Sequence, residues 1–246
     1  MRDRSQLLEH TLDFTIWELG RDRLEDLTRF VFSVYYTRFD PENWADSGED
    51  FQLMLADDEY FAANSTVFAA IGHSGRILST ARAIERRQKP LPIERDFGVS
   101  LHALTALGPV HRVFEVARLA TDPQAVVAEG LSRQHIPRIT DAVITRIIRT
   151  TAQENGNFWV ASMDVRALAL FRSRGFAFVD LGETNPAYLG SPTTPVALSI
   201  DACRAAFWQE SRSRYDHYFA PSSRETAGHS SASAPPTWPA AQFPAW

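Results

Sequence analysis

Two ionisable residues lie inside one short apolar run and are the first candidates for chemistry in this chain. The run is Val113–Thr121, VFEVARLAT, and its charges are Glu115 and Arg118. An apolar run of this length predicts a mostly buried strand. Because a buried charge is costly unless it is paired or used, the strand holds either a structural ion pair or part of a functional site. Spacing alone favours the structural pair.

The spacing of these two residues also sets a geometric condition. Side chains alternate between the two faces of a regular strand, so Glu115 and Arg118, three positions apart, point to opposite faces. A β-bulge adds one residue to a strand and can bring both side chains to one face. A site built from both residues therefore requires a bulge.

A third charge lies in the β-hairpin that is predicted earlier in the chain. Val67–Ile71 and Arg76–Ile84 read as two strands joined by a turn that contains Gly75. Arg82 lies in the second strand and shares a face with Leu78, Thr80 and Ile84, so it is a charge on a strand flanked by apolar residues. A solvated sheet face and a site residue are equally compatible with this pattern.

The other periodic segments interleave helices with strands. This order predicts an α/β fold, a mixed α+β sheet with helices on both faces, in a single domain over residues 1–220. Residues 221–246 are rich in Ala, Ser and Pro and are predicted to be a disordered tail. Helices are predicted at Trp17–Tyr36, Ile139–Asn155, Ala202–Phe219 and from the N-cap Asp164 to Arg174, strands at Phe158–Ser162, Phe176–Leu181 and Val196–Ile200, and irregular segments at Arg38–Asp50, with Trp44, and Ile93–Pro109.

Composition excludes several classes of function. The 246 residues carry a net charge of −5, which argues against electrostatic binding to nucleic acid. One cysteine, seven scattered histidines and the lack of an H-E-x-x-H motif argue against a metal site. No nucleotide-phosphate loop is present. The chain also lacks a signal-peptide pattern and a membrane-spanning apolar run, so a soluble cytoplasmic protein is expected.

One segment resembles a known superfamily. In DVRALALFRSRGFAFVDL, residues 164–181, an apolar-aromatic pair, Leu170-Phe171, precedes Gly175-Phe176. This arrangement resembles the late helix–strand segment of GNAT acyltransferases, and the strand order over roughly residues 20–205 is similar to theirs. The resemblance implies a central, mostly antiparallel sheet with splayed strands and helices on both faces. A splayed central strand in turn predicts the bulge between Glu115 and Arg118.

The resemblance narrows to one branch of the superfamily. The segment after Thr121, DPQAVVAEGLSRQ, lacks the Q/R-x-x-G-x-G/A loop of acetyl-CoA-dependent members. That loop is degenerate in the branch that takes acyl groups from acyl carrier protein, the autoinducer (acyl-homoserine lactone) synthases and N-acyl amino acid synthases. Residues of this chain that look like that branch are Arg82, Phe97, the E-x-A-R run Glu115–Arg118, the helix pair Arg29 and Phe32, and an acidic residue at Asp57 or Asp58.

The branch implies roles for these residues in N-acylation. Glu115 takes a proton from the amine, directly or through water, or holds the ammonium group. Arg82 and Arg118 bind an acceptor carboxylate. A backbone N–H among Leu119, Ala120 and Thr121 faces the thioester oxygen. Arg29, Phe32, Phe97 and Phe171 are predicted to bind substrate.

The predicted enzyme moves a fatty acyl group, long-chain in the branch it resembles, to an amino acid or similar small amine. Trp44 does not fall at the autoinducer-synthase spacing, which argues against S-adenosylmethionine as acceptor. The co-substrate is acyl-ACP or acyl-CoA, with acyl carrier protein as partner and no permanently bound cofactor. Two alternatives stay open: an acetyl-CoA-dependent GNAT N-acetyltransferase, and a non-catalytic GNAT-like module that binds an acyl carrier protein.

Overall fold

The computed structural model describes residues 1–39 and 47–220. Trp44 and the predicted tail at 221–246 therefore lie outside the described residues. Within the described part, the strands are β1 (Gln6–His10), β2 (Thr15–Leu19), β3 (Ser65–Ile71), β4 (Ile77–Glu85), β5 (Arg112–Thr121), β6 (Asn157–Asp164), β7 (Val179–Asp180), β8 (Asn185–Tyr188) and β9 (Ser191–Ser199).

The α-helices of the same residues lie between and after these strands. They are α1 (Leu24–Phe39), α2 (Ser47–Phe61), α3 (Pro92–Phe97), α4 (Pro123–Ala128), α5 (Ile136–Thr151), α6 (Val165–Ser173), α7 (Ile200–Glu210) and α8 (Arg212–Tyr218). Short 3₁₀ turns occupy Arg21–Arg23, Ala62–Asn64, Leu101–Leu107 and Arg133–His135.

The strands form one mixed sheet that opens beside Glu115. Its order is β1-β2-β3-β4-β5-β6-β9-β7, with β8 paired to β9, and every pairing is antiparallel except β5 with β6. Those two parallel strands pair only from Arg112 opposite Asn157 to Glu115 opposite Val160. Beyond this point β5 continues beside β4 and β6 beside β9. The central strands therefore separate immediately after Glu115, and the predicted splay is confirmed.

Helices cover both faces of the sheet, as predicted. On β3, Phe68 and Ala70 pack in a core with the inward stripe of α5, including Ile139 and Val143. Val67 and its face-sharing neighbours pack with α1 in a second core. This division follows from the alternation of side chains along a strand. A third core lies under α3 and the 3₁₀ turn that follows it.

The predicted bulge is present in β5. Opposite β4, Ala117 pairs with Arg82 and Ala120 pairs with Thr80, so Arg118 and Leu119 together face the single residue Ala81. Arg118 has a φ of 53°, in the left-handed region that non-glycine residues rarely occupy. The extra residue turns the Arg118 side chain to the face that carries Arg82. The shared face is evident from the hydrogen bonds that both guanidinium groups donate to the same carboxylate, that of Asp58.

Several predicted boundaries are wrong. The helix predicted at Trp17–Tyr36 begins at Leu24, because Trp17 and its neighbours pair with β3 as strand β2. The loop predicted at Arg38–Asp50 gives way to α2 from Ser47. The single helix predicted over Ala202–Phe219 is broken at Ser211, whose backbone is extended. Among the described residues, no helix is long and apolar enough to cross a membrane.

Candidate active site

Asp58 of helix α2 is the centre of a buried charge cluster. Its side chain is 0% exposed. Its Oδ1 accepts hydrogen bonds from Arg82 Nη1 at 2.6 Å and Arg118 Nε at 3.0 Å, and its Oδ2 accepts one from Thr28 Oγ1 at 2.7 Å. Burial alone raises the pKa of a carboxyl group, but the two guanidinium groups hold the pKa of Asp58 below its usual range. Asp58 is therefore an anion that joins α1, β4 and β5.

Arg82 lies on the sheet face under α1 and α2. It stands opposite Val67 of β3 and is 2% exposed, so the alternative of a solvated sheet face is wrong. Burial, followed by the neighbouring charge of Arg118, lowers the pKa of Arg82. Its Nη1 is bonded to Asp58, but its buried Nε has no hydrogen-bond partner among the described residues. A buried donor left without a partner is costly, so this edge of Arg82 is suited to an incoming oxygen atom.

Glu115 is the second buried acid of the cluster. It is 3% exposed and lies where β5 and β6 begin to separate. Its Oε2 accepts the backbone N–H of Ile93, at the first turn of α3, at 2.9 Å. Burial raises the pKa of Glu115 to about 8, against the opposing effects of this hydrogen bond and of the Arg82 charge. A carboxyl group with this pKa can both accept and release a proton near neutral pH.

Arg118 and Asp57 extend the cluster toward solvent. Arg118 Nη2 lies 3.4 Å from Asp57 Oδ2, and Arg95 Nη1 donates to Asp57 Oδ1 at 2.9 Å. Burial opposes the charge of Arg118, yet the carboxylate of Asp58 keeps the pKa of this arginine raised. The structure thus brings together the predicted residues Arg82, Glu115 and Arg118 and both acidic candidates, Asp57 and Asp58.

Sequence reasoning missed Tyr188 of β8. Its hydroxyl group donates to Asp96 Oδ2 at 2.7 Å, and its ring centroid lies 4.7 Å from that of Phe97. Burial, followed by Asp96, raises the pKa of Tyr188, and the charge of Glu115 acts in the same direction. Tyr188 therefore contacts the end of α3, whose first turn donates to Glu115. No local pattern in the sequence indicates this contact.

The contacts that the structure describes for the helix residues Arg29 and Phe32 are with residues outside the charge cluster. Arg29 is 65% exposed in its side chain and pairs with Glu25 at 2.7 Å. Phe32 stacks on Tyr36 with ring centroids 4.1 Å apart. From this helix it is Thr28 that reaches Asp58. A role for Arg29 or Phe32 in binding substrate stays a prediction.

The remaining predicted residues occupy three different environments. Phe97 touches Tyr188 beside the cluster. The carbonyl groups of Leu119 and Ala120 accept hydrogen bonds from Tyr35 and Ser79 on the bulged end of β5, and Thr121 hydrogen-bonds Thr140 of α5. Phe171 is buried in the aromatic core of α6 and α7, so its contacts are those of a packing residue. No group of His, Cys, Asp and Glu suited to a metal ion occurs in the part of the chain that the structure describes.

The strand order, the parallel pair that separates in the middle of the sheet and the helices on both faces define a GNAT-like fold. No protein-family model and no curated protein sequence matches the chain. Solved structures similar to it include FeeM, an N-acyl amino acid synthase from uncultured soil microbes, at 16% identity and a TM-score of 0.53, covering 82% of this chain and 92% of FeeM.

Two further similar structures are an acyl-homoserine lactone synthase and an acetyltransferase. BjaI, a CoA-dependent acyl-homoserine lactone synthase determined with MTA, has 14% identity and a TM-score of 0.51, with 78% of this chain and 84% of BjaI covered. A GNAT-family acetyltransferase from Staphylococcus aureus Mu50 has 14% identity and a TM-score of 0.48, with 76% and 99% covered. At 14–16% identity, the similarity to FeeM and BjaI shows the fold alone.

Proposed function

We propose that this protein is an N-acyltransferase that moves a fatty acyl group from a carrier-protein or CoA thioester to the amine of an amino acid or similar small acceptor. The observation that carries the proposal is Glu115, a buried carboxyl group with a pKa of about 8 at the point where the central strands separate. FeeM and BjaI, which share the fold, are named for N-acyl amino acid and acyl-homoserine lactone synthesis.

The register of β4 and β5 supports an α-amino acid as acceptor. Arg82 stands opposite Ala117, and Ile84 stands opposite Glu115, so Arg82 and Glu115 are diagonal neighbours on one face. In the proposed binding mode, the carboxylate of the amino acid meets the unpartnered Nε of Arg82, and its amine meets Glu115. Two charge-assisted contacts of this kind fix the orientation of a small molecule.

The reaction follows from this placement. The amine nitrogen forms a bond to the thioester carbonyl carbon while its proton passes to Glu115. The carbon–sulfur bond then breaks, and the departing thiolate takes up a proton, so an amide and a free thiol are released. That proton comes from the carboxyl group of Glu115, directly or through water, so Glu115 ends the cycle as a carboxylate.

A carrier-protein donor is supported by the segment after β5. Pro123–Ala128 forms the short helix α4, and the carboxylate of Asp122 caps its first turn by accepting the backbone N–H of Gln124 at 2.8 Å. A carboxylate at this position repels the pyrophosphate of CoA. The carrier thioester, which bears a single phosphodiester, meets less repulsion. The donor preference is therefore part of the proposal.

The test is acyl transfer by the purified protein, with amide products measured by mass spectrometry. Donors are a long-chain acyl-ACP, the matching acyl-CoA and acetyl-CoA, and acceptors are amino acids and their decarboxylated amines. Long-chain N-acyl amino acids that disappear in Glu115→Gln and persist in the exposed control Glu59→Gln support the proposal. Product formation from acetyl-CoA alone contradicts it and favours an acetyltransferase. No amide from any donor favours a non-catalytic module.

A second variant separates acceptor binding from proton transfer. Arg82→Lys keeps a charge next to Asp58 and removes the Nε donor, so KM for an amino acid should rise roughly 10- to 100-fold, as for loss of one charged hydrogen bond. KM for the decarboxylated amine should change little. The exposed Arg166→Lys is the matched control. An equal effect on both acceptors contradicts the carboxylate contact.

A further inference from the structure

A groove of about 620 Å³ lies over the outward side of α5, apart from the candidate active site. Its walls are the hairpin of β1 and β2 on one side and helix α8 on the other. The inward stripe of α5 packs on the sheet face of Phe68, whereas Arg82 lies on the opposite face with Val67. The groove and the candidate active site are therefore on different sides of the sheet. Its volume is within the range of roughly 300–1,000 Å³ that is usual for small-molecule sites.

The groove is cationic although the chain as a whole is acidic. The chain carries a net charge of −5. Among the described residues, the arginines that line the groove are Arg138, Arg146, Arg149, Arg174 and Arg214, and the acids are Glu9 and Asp141. This concentration of five guanidinium groups in a concave surface raises the local concentration of anions.

Two acids offset part of this charge: Glu9, by its ion pair with Arg146, and Asp141, which three groups hold in place. Asp141 accepts hydrogen bonds from His217 Nε2 and from the Tyr218 hydroxyl group, each at 2.7 Å, and Arg174 Nη1 lies 3.5 Å away. These contacts fix α8 and the end of α6 against α5. The acid therefore serves to build the wall of the groove.

Arg214 lines the groove beside Gly175. A Cβ atom at Gly175 would lie 2.8 Å from Arg214 Nη1, and this glycine has a φ of +91°. Within the described residues Arg214 makes no ion pair, and its guanidinium carbon lies 5.9 Å from the centroid of the Phe207 ring. At the other end of the groove, Arg138 is 58% exposed in its side chain and pairs with Asp13 at 2.8 Å. Both guanidinium groups can turn to a ligand.

We propose that this groove binds a small multivalent anion of the phosphate or phosphate-ester class. Guanidinium groups match phosphate oxygens with paired hydrogen bonds, and several of them lie around one cavity of small-molecule size. The same phosphate chemistry can come from a free phosphorylated metabolite or from CoA. The site does not depend on the proposed acyltransferase function.

The experiment is isothermal titration calorimetry of the full chain with inorganic pyrophosphate and with CoA at low ionic strength. The expected result is saturable pyrophosphate binding that weakens with salt. In Arg138→Ala and in Arg214→Ala the Kd should rise roughly tenfold or more, as for loss of one charged hydrogen bond. The exposed Arg166→Ala should bind as the wild type does. Unchanged urea midpoints show that the variants are folded.

The probes distinguish the sources of the phosphate. Binding of CoA with the same loss in both variants identifies CoA phosphates as the ligand, and binding of pyrophosphate without CoA identifies a free phosphorylated compound; both results support the site. The proposal is wrong if neither probe binds, if binding is equal in wild type and variants, or if only an acidic polypeptide such as polyglutamate binds.

Discussion

Replacing Glu115 by glutamine tests the electrostatic account of the candidate site through protein stability. Burial raises the pKa of Glu115 from an ordinary value of 4.5 to about 8 in the folded chain. The folded state therefore holds the proton more tightly than the unfolded state does. The contribution of Glu115 to stability is therefore highest at or below pH 4.5, falls as the pH rises from 4.5 to about 8, and is constant above that. Complete ionisation of Glu115 in the folded chain lowers the free energy of unfolding by roughly 5 kcal/mol, at about 1.4 kcal/mol per pH unit.

Glutamine has the size of glutamate and keeps a carbonyl oxygen for the N–H of Ile93, but it does not ionise. The difference in unfolding free energy, Glu115→Gln minus wild type, should therefore increase by about 4 kcal/mol between about pH 5 and about pH 9. Urea denaturation of both proteins at the two pH values measures it. Groups that titrate equally in both chains contribute equally to the two free energies of unfolding, so their contributions cancel in the difference.

The exposed Glu59→Gln is the control, and its stability should follow the wild type at every pH. Parallel stability curves for Glu115→Gln and wild type would refute the reasoning, because they would mean that Glu115 titrates alike in the folded and unfolded states. A decrease of the Glu115→Gln minus wild-type difference between the two pH values would show that Arg82 and the Ile93 N–H outweigh burial and lower the pKa of Glu115.

Three further predictions follow from the same contacts. Asp58→Ala leaves two buried guanidinium groups without their shared carboxylate and should lower the free energy of unfolding, measured in urea, by roughly 3–5 kcal/mol. Asp57 is more exposed, so Asp57→Ala should lower it by about 1 kcal/mol. Equal losses would contradict the central position of Asp58 in the charge cluster. If Glu115 is the base, kcat/KM of acyl transfer should rise with pH to a plateau above about 8, and Glu115→Gln should lower kcat by roughly 10²- to 10⁴-fold; an unchanged profile would exclude this role. Phe171→Ala should lower the free energy of unfolding by roughly 3–5 kcal/mol without changing KM. A raised KM with little loss of stability would instead support a role for Phe171 in substrate binding.

Local patterns in the sequence were sufficient to predict the helices and strands that are stabilised by residues close to them in the chain. The apolar stripe of α5 and the side-chain oxygen of Asp164, which caps α6, act within a few residues of chain. The hairpin of β3 and β4 depends on a short turn. Helix α2 was not predicted, because much of its surface is polar and its position is stabilised by contacts of Asp57 and Asp58 with distant strands.

The bulge in β5 was predicted from the resemblance, which implies a splayed central strand, whereas the spacing of Glu115 and Arg118 made the bulge a condition for a shared site. The sequence by itself determined which residues carry charge inside apolar strands, Arg82, Glu115 and Arg118, and that a shared site requires this bulge. It did not determine that Asp58 pairs with both arginines, that Ile93 donates to Glu115, or that Tyr188 donates to Asp96. These contacts join residues 22 to 92 positions apart. They exist only when the sheet and its helices are assembled, because burial and partner geometry, and with them the pKa of Glu115, are properties of the packed chain.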